Sequence, residues 1–234
     1  MIIHARFNGP PGSGNGGYSA GLFAHGDPCE VTLRTPPPLE TPLSLLDCQV
    51  RTPDGTVVAE VAPAPEIDTV VPPIGYAEAV SAATGYVGFA DHPFPTCYVC
   101  GPDRAEDDGL RIFPGRVADG STAAPWTVPA DVSTELVWAA LDCPGGWAVI
   151  GPVRPYVLGR IAVQVDRLPA PGDQCVVRGA LTATEGRKAL VHTTLYGPDG
   201  AELARARATW IALPSEVPAQ PTRPARPTQS TQPA

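Results

Sequence analysis

Lysine is almost missing from this chain. Of its 16 basic residues only Lys188 is a lysine, and they face 24 acidic residues for a net charge of −8. No basic run and no basic patch interleaved with aromatics occurs, which excludes the electrostatic footprint of nucleic-acid binding. No apolar run approaches the roughly 18 residues of a membrane span, so no membrane association is expected. The opening "MIIHARFNGPPG" lacks the long apolar core of a secretion signal, and the expectation is a soluble, cytoplasmic protein. Metal-ligand pairs are scarce as well. Cys97 and Cys100 form one C-x-x-C, but Cys29, Cys48, Cys143 and Cys175 are scattered, and His4, His25, His92 and His192 form no pair. A zinc site typically needs a second close pair. The C-x-x-C therefore reads as a turn with two reduced thiols, and neither a metal nor another cofactor is expected.

What is present suits one large or two small domains, since 234 residues can bury a substantial core. The last segment, Pro214 to Ala234, carries six prolines and almost no apolar bulk. It cannot offset its ordering entropy and is expected to be a disordered tail. Residues 31–61 and 163–207 resemble each other. Each starts with a strand-like run, turns through prolines, returns as a strand and ends in Pro-Asp-Gly-x-x-x-Ala. Proline presets φ and glycine accepts φ > 0, so Pro-Asp-Gly between strand-like runs signals a hairpin. The second copy has an extra strand-turn-strand around "TEGRK", and the pair points to a duplicated unit.

One helical candidate precedes each copy, Asn15–Gly26 in the first half and Ser133–Gly146 in the second. Ser133 suits an N-cap, Glu135 suits the positive helix end, and Leu136, Val137, Ala140 and Leu141 form an apolar face. Pro144 and the two glycines after it are expected to end that helix. Near that end stands Asp142, a carboxylate at the foot of an apolar run, which is costly unless paired or kept for chemistry. A third candidate, Gly75–Phe89, falls between the halves. The resulting division is 1–70, a helical connector 71–94, a second half 95–213, and the tail 214–234.

One helix wrapped by an antiparallel sheet, twice in one chain, resembles the double hotdog plan: an α+β fold with a long antiparallel sheet around a central helix in each half. Short motifs agree. "CYVCGPDRAEDDGLRIF", Cys97–Phe113, is similar to the Cys-Phe-x-Cys-Gly…Gly-Leu segment that precedes the core in many hotdog thioesterases. The family then opens a helix with His-Gly-Gly and places an acid nine residues after the His. Here Asp142 takes the acid position, with Ser133-Thr134-Glu135 in place of His-Gly-Gly. The first half is the converse: Asn15-Gly16-Gly17 resembles His-Gly-Gly, and Ala24 stands where the acid would be. The acyl-CoA thioesterase II family is similar in having a Gly-Gly helix first and a helix Asp second. It also uses a late-strand Gln, where this chain has Ala208.

The resemblance implies hydrolysis of an acyl-CoA or related thioester at one composite site between the halves. Asp142 would act as base or nucleophile, the amides of Gly16 and Gly17 as oxyanion donors, and Asn15 as a hydrogen-bonding partner of the thioester or the water. Arg187 and Lys188, in a predicted turn, would contact coenzyme A phosphates under this resemblance, although a solvated turn is the simpler reading of the two. Trp138 and Trp147 read as core or pocket wall. The resemblance also allows a homo-oligomer assembled through the sheets. Two alternatives stand beside it: a non-catalytic acyl- or acyl-CoA-binding or assembly module on the same fold, and, disfavoured because no His neighbours Asp142 in sequence, a hydratase or dehydratase.

Overall fold

The computed structural model describes residues 1–26, 28–151 and 154–214. These residues include three α-helices and ten strands: α1 (Gly16–Ala24), β1 (Cys29–Leu33), β2 (Ser44–Leu46), β3 (Gln49–Arg51), β4 (Val57–Pro63), α2 (Tyr76–Thr84), β5 (Gly115–Arg116), β6 (Thr122–Thr127), α3 (Thr134–Trp147), β7 (Tyr156–Val165), β8 (Gln174–Glu185), β9 (Lys188–Tyr196) and β10 (Glu202–Ala212). All strands join one sheet in the order β2-β3-β4-β1-β7-β10-β9-β8-β6-β5. Every pairing in it is antiparallel. A large antiparallel sheet with few helices is consistent with the hotdog fold.

The hairpins follow from local turn chemistry. Gly55 (φ 87°) and Gly200 (φ 74°) close the β3–β4 and β9–β10 turns, and Gly186 (φ 58°) closes "TEGRK" between β8 and β9. β1 joins the early strands to the late ones, pairing with β4 on one side and with β7 on the other, where Val31 faces Ile161. The connector candidate forms α2 and then a 3-10 turn over Val87–Phe89. The Pro-rich tail, from Ser215 onward, lies outside the described residues.

Helix α3, the helical candidate of the second half, departs from expectation at its end. Pro144 lies inside α3, which runs on to Trp147. Proline removes one hydrogen bond and ordinarily breaks a helix, but here packing outweighs that loss. A Cβ at Gly145 would come 2.7 Å from Thr193 Oγ1, and one at Gly146 would come 2.4 Å from the Trp210 ring. Only glycines let this turn lie directly on the sheet, and the Thr122 hydroxyl donates to Pro144 O at 2.7 Å. At the other end Ser133 caps the helix, accepting from Leu136 N–H at a long 3.4 Å. Ser133→Ala is therefore expected at the low end of cap effects, about 0.5 kcal/mol. That corresponds to a melting temperature lowered by roughly 1–2 °C in a thermal scan.

Helices α1 and α3 pack face to face through two glycines of α1. A Cβ at Gly17 would meet Trp138 O at 2.6 Å, and one at Gly21 would meet Glu135 Cα at 2.9 Å. This contact sets the N-terminus of α1 against the side of α3 that carries Asp142. From Leu136 to Trp147 every residue of α3 is buried. Trp138 is part of the core, in the same buried cluster as Phe23, Trp126 and Leu195.

Candidate active site

Asn15 organises the site by using both ends of its amide. Its Oδ1 caps α1, accepting from Tyr18 N–H at 2.8 Å. That bond leaves the NH2 group facing α3, where it donates to Asp142 Oδ2 at 3.1 Å. Gly17 N–H donates to the same oxygen at 2.9 Å. Asp142 is 2% exposed, and its other oxygen, Oδ1, is buried with no hydrogen-bond partner among the described residues. Burial pushes its pKa up to about 7, against the opposing pull of the Gly17 amide and the Asn15 side chain.

The expected role of Gly17 is corrected here. Its amide is not free to serve as an oxyanion donor, because Asp142 Oδ2 already holds it. The first turn of a helix has several unpaired N–H groups, and the close packing of α1 on α3 points this one at the carboxylate. The Gly16 amide, one residue earlier, makes no hydrogen bond among the described residues, and Gly16 borders the pocket. A Cβ at Gly16 would come 2.9 Å from the Leu158 side chain, so the glycine keeps that approach open.

A pocket of about 470 Å³ opens beside these groups. Asn15, Gly16, Asp142, Trp147, Leu158 and Trp210 are among the residues on its wall, so α1, α3, β7 and β10 all contribute. The lining is mostly apolar, as for a site that holds an acyl chain or another apolar group. Arg187 and Lys188 do not line it. They sit close to one end, however: Lys188 pairs with Ile211, a wall residue, and Arg187 O accepts from Ala212 N–H at 2.8 Å. Ala208, at the place of the family Gln, is buried in the core.

Sequence reasoning missed two features of this wall. The first is that the C-x-x-C is not an isolated pair of thiols. Cys143, next to Asp142, brings its sulfur to 4.0 Å from that of Cys97, and the Sγ atoms of Cys97, Cys100 and Cys143 all lie within 4.8 Å of one another. Hydrogen bonds from the Cys100 and Cys143 thiols hold the Cys97 thiol well below its ordinary range, whereas burial pushes Cys100 up. The second is His92, which borders the pocket and places Nε2 3.4 Å from Cys100 Sγ. The C-x-x-C was the signal available for the first. Nothing local in the sequence linked Cys143 or His92 to it.

No family model and no curated protein matches this sequence. Among solved structures, it is similar to a thioesterase superfamily protein, RHA08564, at 16% identity and a TM-score of 0.45, over 58% of this chain and 76% of that one. It is similar to smu.793 from Streptococcus mutans UA159 bound to acetyl CoA at 13% identity and a TM-score of 0.41, over 48% and 94%. It is also similar to the E. coli PaaI protein from the phenylacetic acid degradation operon at 13% identity and a TM-score of 0.40, over 45% and 82%. No helix among the described residues is long and apolar enough to cross a membrane.

Proposed function

We propose that this chain is a double hotdog hydrolase of acyl-CoA or related thioesters, with one composite site between its halves. The carrying observation is Asp142 Oδ1, a buried carboxylate oxygen without a partner among the described residues, at the wall of an apolar pocket and beside the N-terminus of α1. An unsatisfied buried acceptor costs about 1–3 kcal/mol, and strain of that kind is retained where chemistry uses it.

In this reading the acyl chain lies against Trp147, Trp210 and Leu158, and the thioester carbonyl faces Gly16. Asp142 Oδ1 takes a proton from water, and the resulting hydroxide attacks the carbonyl carbon. The oxyanion is stabilised by the Gly16 N–H and the positive end of α1. The C–S bond then breaks, and the proton held by Asp142 returns to the leaving thiolate. The products are the free acid and the free thiol. Asn15 and Gly17 fix the carboxylate through Oδ2, so that Oδ1 alone is presented to the water.

Arg187 and Lys188, near one end of the pocket, would meet the phosphates of the carrier. Reversing both charges should raise KM for acyl-CoA several-fold with kcat nearly unchanged, and the effect should shrink as salt screens it. An unchanged KM at low salt would remove the turn from the binding site. A screen of acyl-CoAs of varied length, with detection of free thiol, tests the function itself. One observation favours the non-catalytic acyl-binding reading: Oδ2 of Asp142 links α1 to α3, a structural task. Acyl-CoA binding without thiol release over the whole series would establish that reading instead.

A further inference from the structure

The hydrolysis proposed above makes no use of the three thiols on the pocket wall. We propose that Cys97, Cys100 and Cys143 bind one zinc ion as thiolates, leaving its fourth coordination position open to the pocket. Their sulfurs lie within 4.8 Å of one another, with Cys97 and Cys143 4.0 Å apart. A tetrahedral ion with Zn–S bonds of about 2.3 Å calls for sulfurs spaced at roughly 3.8 Å. Small side-chain rotations close that difference. All three residues are buried and all three border the pocket, so an ion among them would be shielded on the protein side and reachable from the cavity.

Hydrogen-bond donors are aimed at two of the three sulfurs. Trp147 Nε1–H donates to Cys100 Sγ at 3.4 Å, and Asn15 Nδ2–H points at Cys97 Sγ from 3.8 Å. Thiol sulfur is a weak acceptor, and donors aimed at it suit metal-bound thiolate, whose charge they delocalise. The turn is built for this. Gly101 N–H closes it onto Cys97 O at 2.9 Å, and a Cβ at Gly101 would come 2.5 Å from Cys97 N. Soft thiolate donors in a tetrahedral arrangement select zinc over harder divalent ions. Binding displaces the remaining thiol protons to solvent.

His92 is not the fourth ligand in this proposal. Phe94 N–H donates to His92 Nδ1 at 2.8 Å, which makes Nδ1 the acceptor and places the ring proton on Nε2. Nε2–H then donates to Cys100 Sγ and has no lone pair for a metal. Three protein ligands with an accessible fourth position are the pattern of a reactive zinc rather than a purely structural one.

The test needs no substrate, so its failure is separable from failure of the thioesterase reading. Full-length protein, prepared without a metal-affinity tag or chelator, should carry about one equivalent of zinc by plasma mass spectrometry. Cys100→Ser should lose the metal, whereas Cys175→Ser, a buried thiol outside the cluster, and His92→Phe should keep it. Cobalt in place of zinc should give intense sulfur-to-cobalt charge-transfer bands, and imidazole added to the pocket should shift the visible ligand-field bands. Metal-free protein in which all six thiols titrate would overturn the site, as would zinc retained by Cys100→Ser. Ligand-field bands unmoved by imidazole, or loss of zinc from His92→Phe, would overturn the open position. If Cys100→Ser fails to fold, the zinc content and cobalt spectrum of the native chain still decide.

Discussion

Asp142→Asn is expected to lower kcat for thioester hydrolysis by roughly 100-fold or more, as for removal of a general base. The fold should survive the change. Both hydrogen bonds from α1, from Asn15 and from Gly17, converge on Oδ2. An asparagine with its oxygen in that position keeps both and loses only the charge. Relief of a buried charge offsets the new amide protons, so the melting temperature should stay within about 2 °C of the parent, or rise. A purely structural Asp142, acting through Oδ2, predicts instead that turnover of the folded fraction is left intact. Full turnover in folded Asp142→Asn protein would sink the catalytic assignment.

The second large effect is on stability. Gly17→Ala introduces a methyl group 2.5 Å from Asp142 Cβ and 2.6 Å from Trp138 O. One contact is with the carrier of the carboxylate and the other with helix backbone, so neither can yield without moving α1 away from α3. Overpacking of this kind costs about 1–3 kcal/mol, and the melting temperature should fall by roughly 2–12 °C for a domain of this size. Activity should fall with it, since the shift moves the Gly17 amide off Oδ2 and the Gly16 amide out of position. Gly75→Ala is the matched control: a Cβ there meets nothing within 4 Å. It should leave melting unchanged within about 0.5 kcal/mol. Equal melting temperatures for the two variants would show that the helices have slack.

Much of this arrangement is legible in residues whose effect is local. The Pro-Asp-Gly turns form where proline and glycine dictate, because the φ angles they favour need no help from the rest of the chain. The N-terminus of α1 is legible too, since Asn15 caps with its own side chain. Asp142 stood out because a carboxylate in an apolar run conflicts with its neighbours. What was not legible depends on contacts between distant segments. Pro144 is a helix breaker by propensity, and only the fit of Gly145 and Gly146 against the sheet lets the helix continue past it. The direction of the Gly17 amide is set by the angle at which two helices cross, which no local pattern encodes. Cys143 met Cys97 and Cys100 only when α3 was laid beside the loop that carries them.

The central position of β1 bears on how the molecule comes apart. This five-residue strand is hydrogen-bonded on both edges, to β4 and to β7. Separating the early strands from the late ones would bare two unpaired edges in mid-sheet, each an invitation to aggregate. The chain should therefore melt in a single calorimetric transition, with amide protons of β1 among the slowest to exchange. A fragment ending before β7 would have lost the template on which its longest-range pairing is laid down. Expressed alone, it should collect in the insoluble fraction, whereas the two fragments produced together should rescue each other by rebuilding the β1–β7 seam.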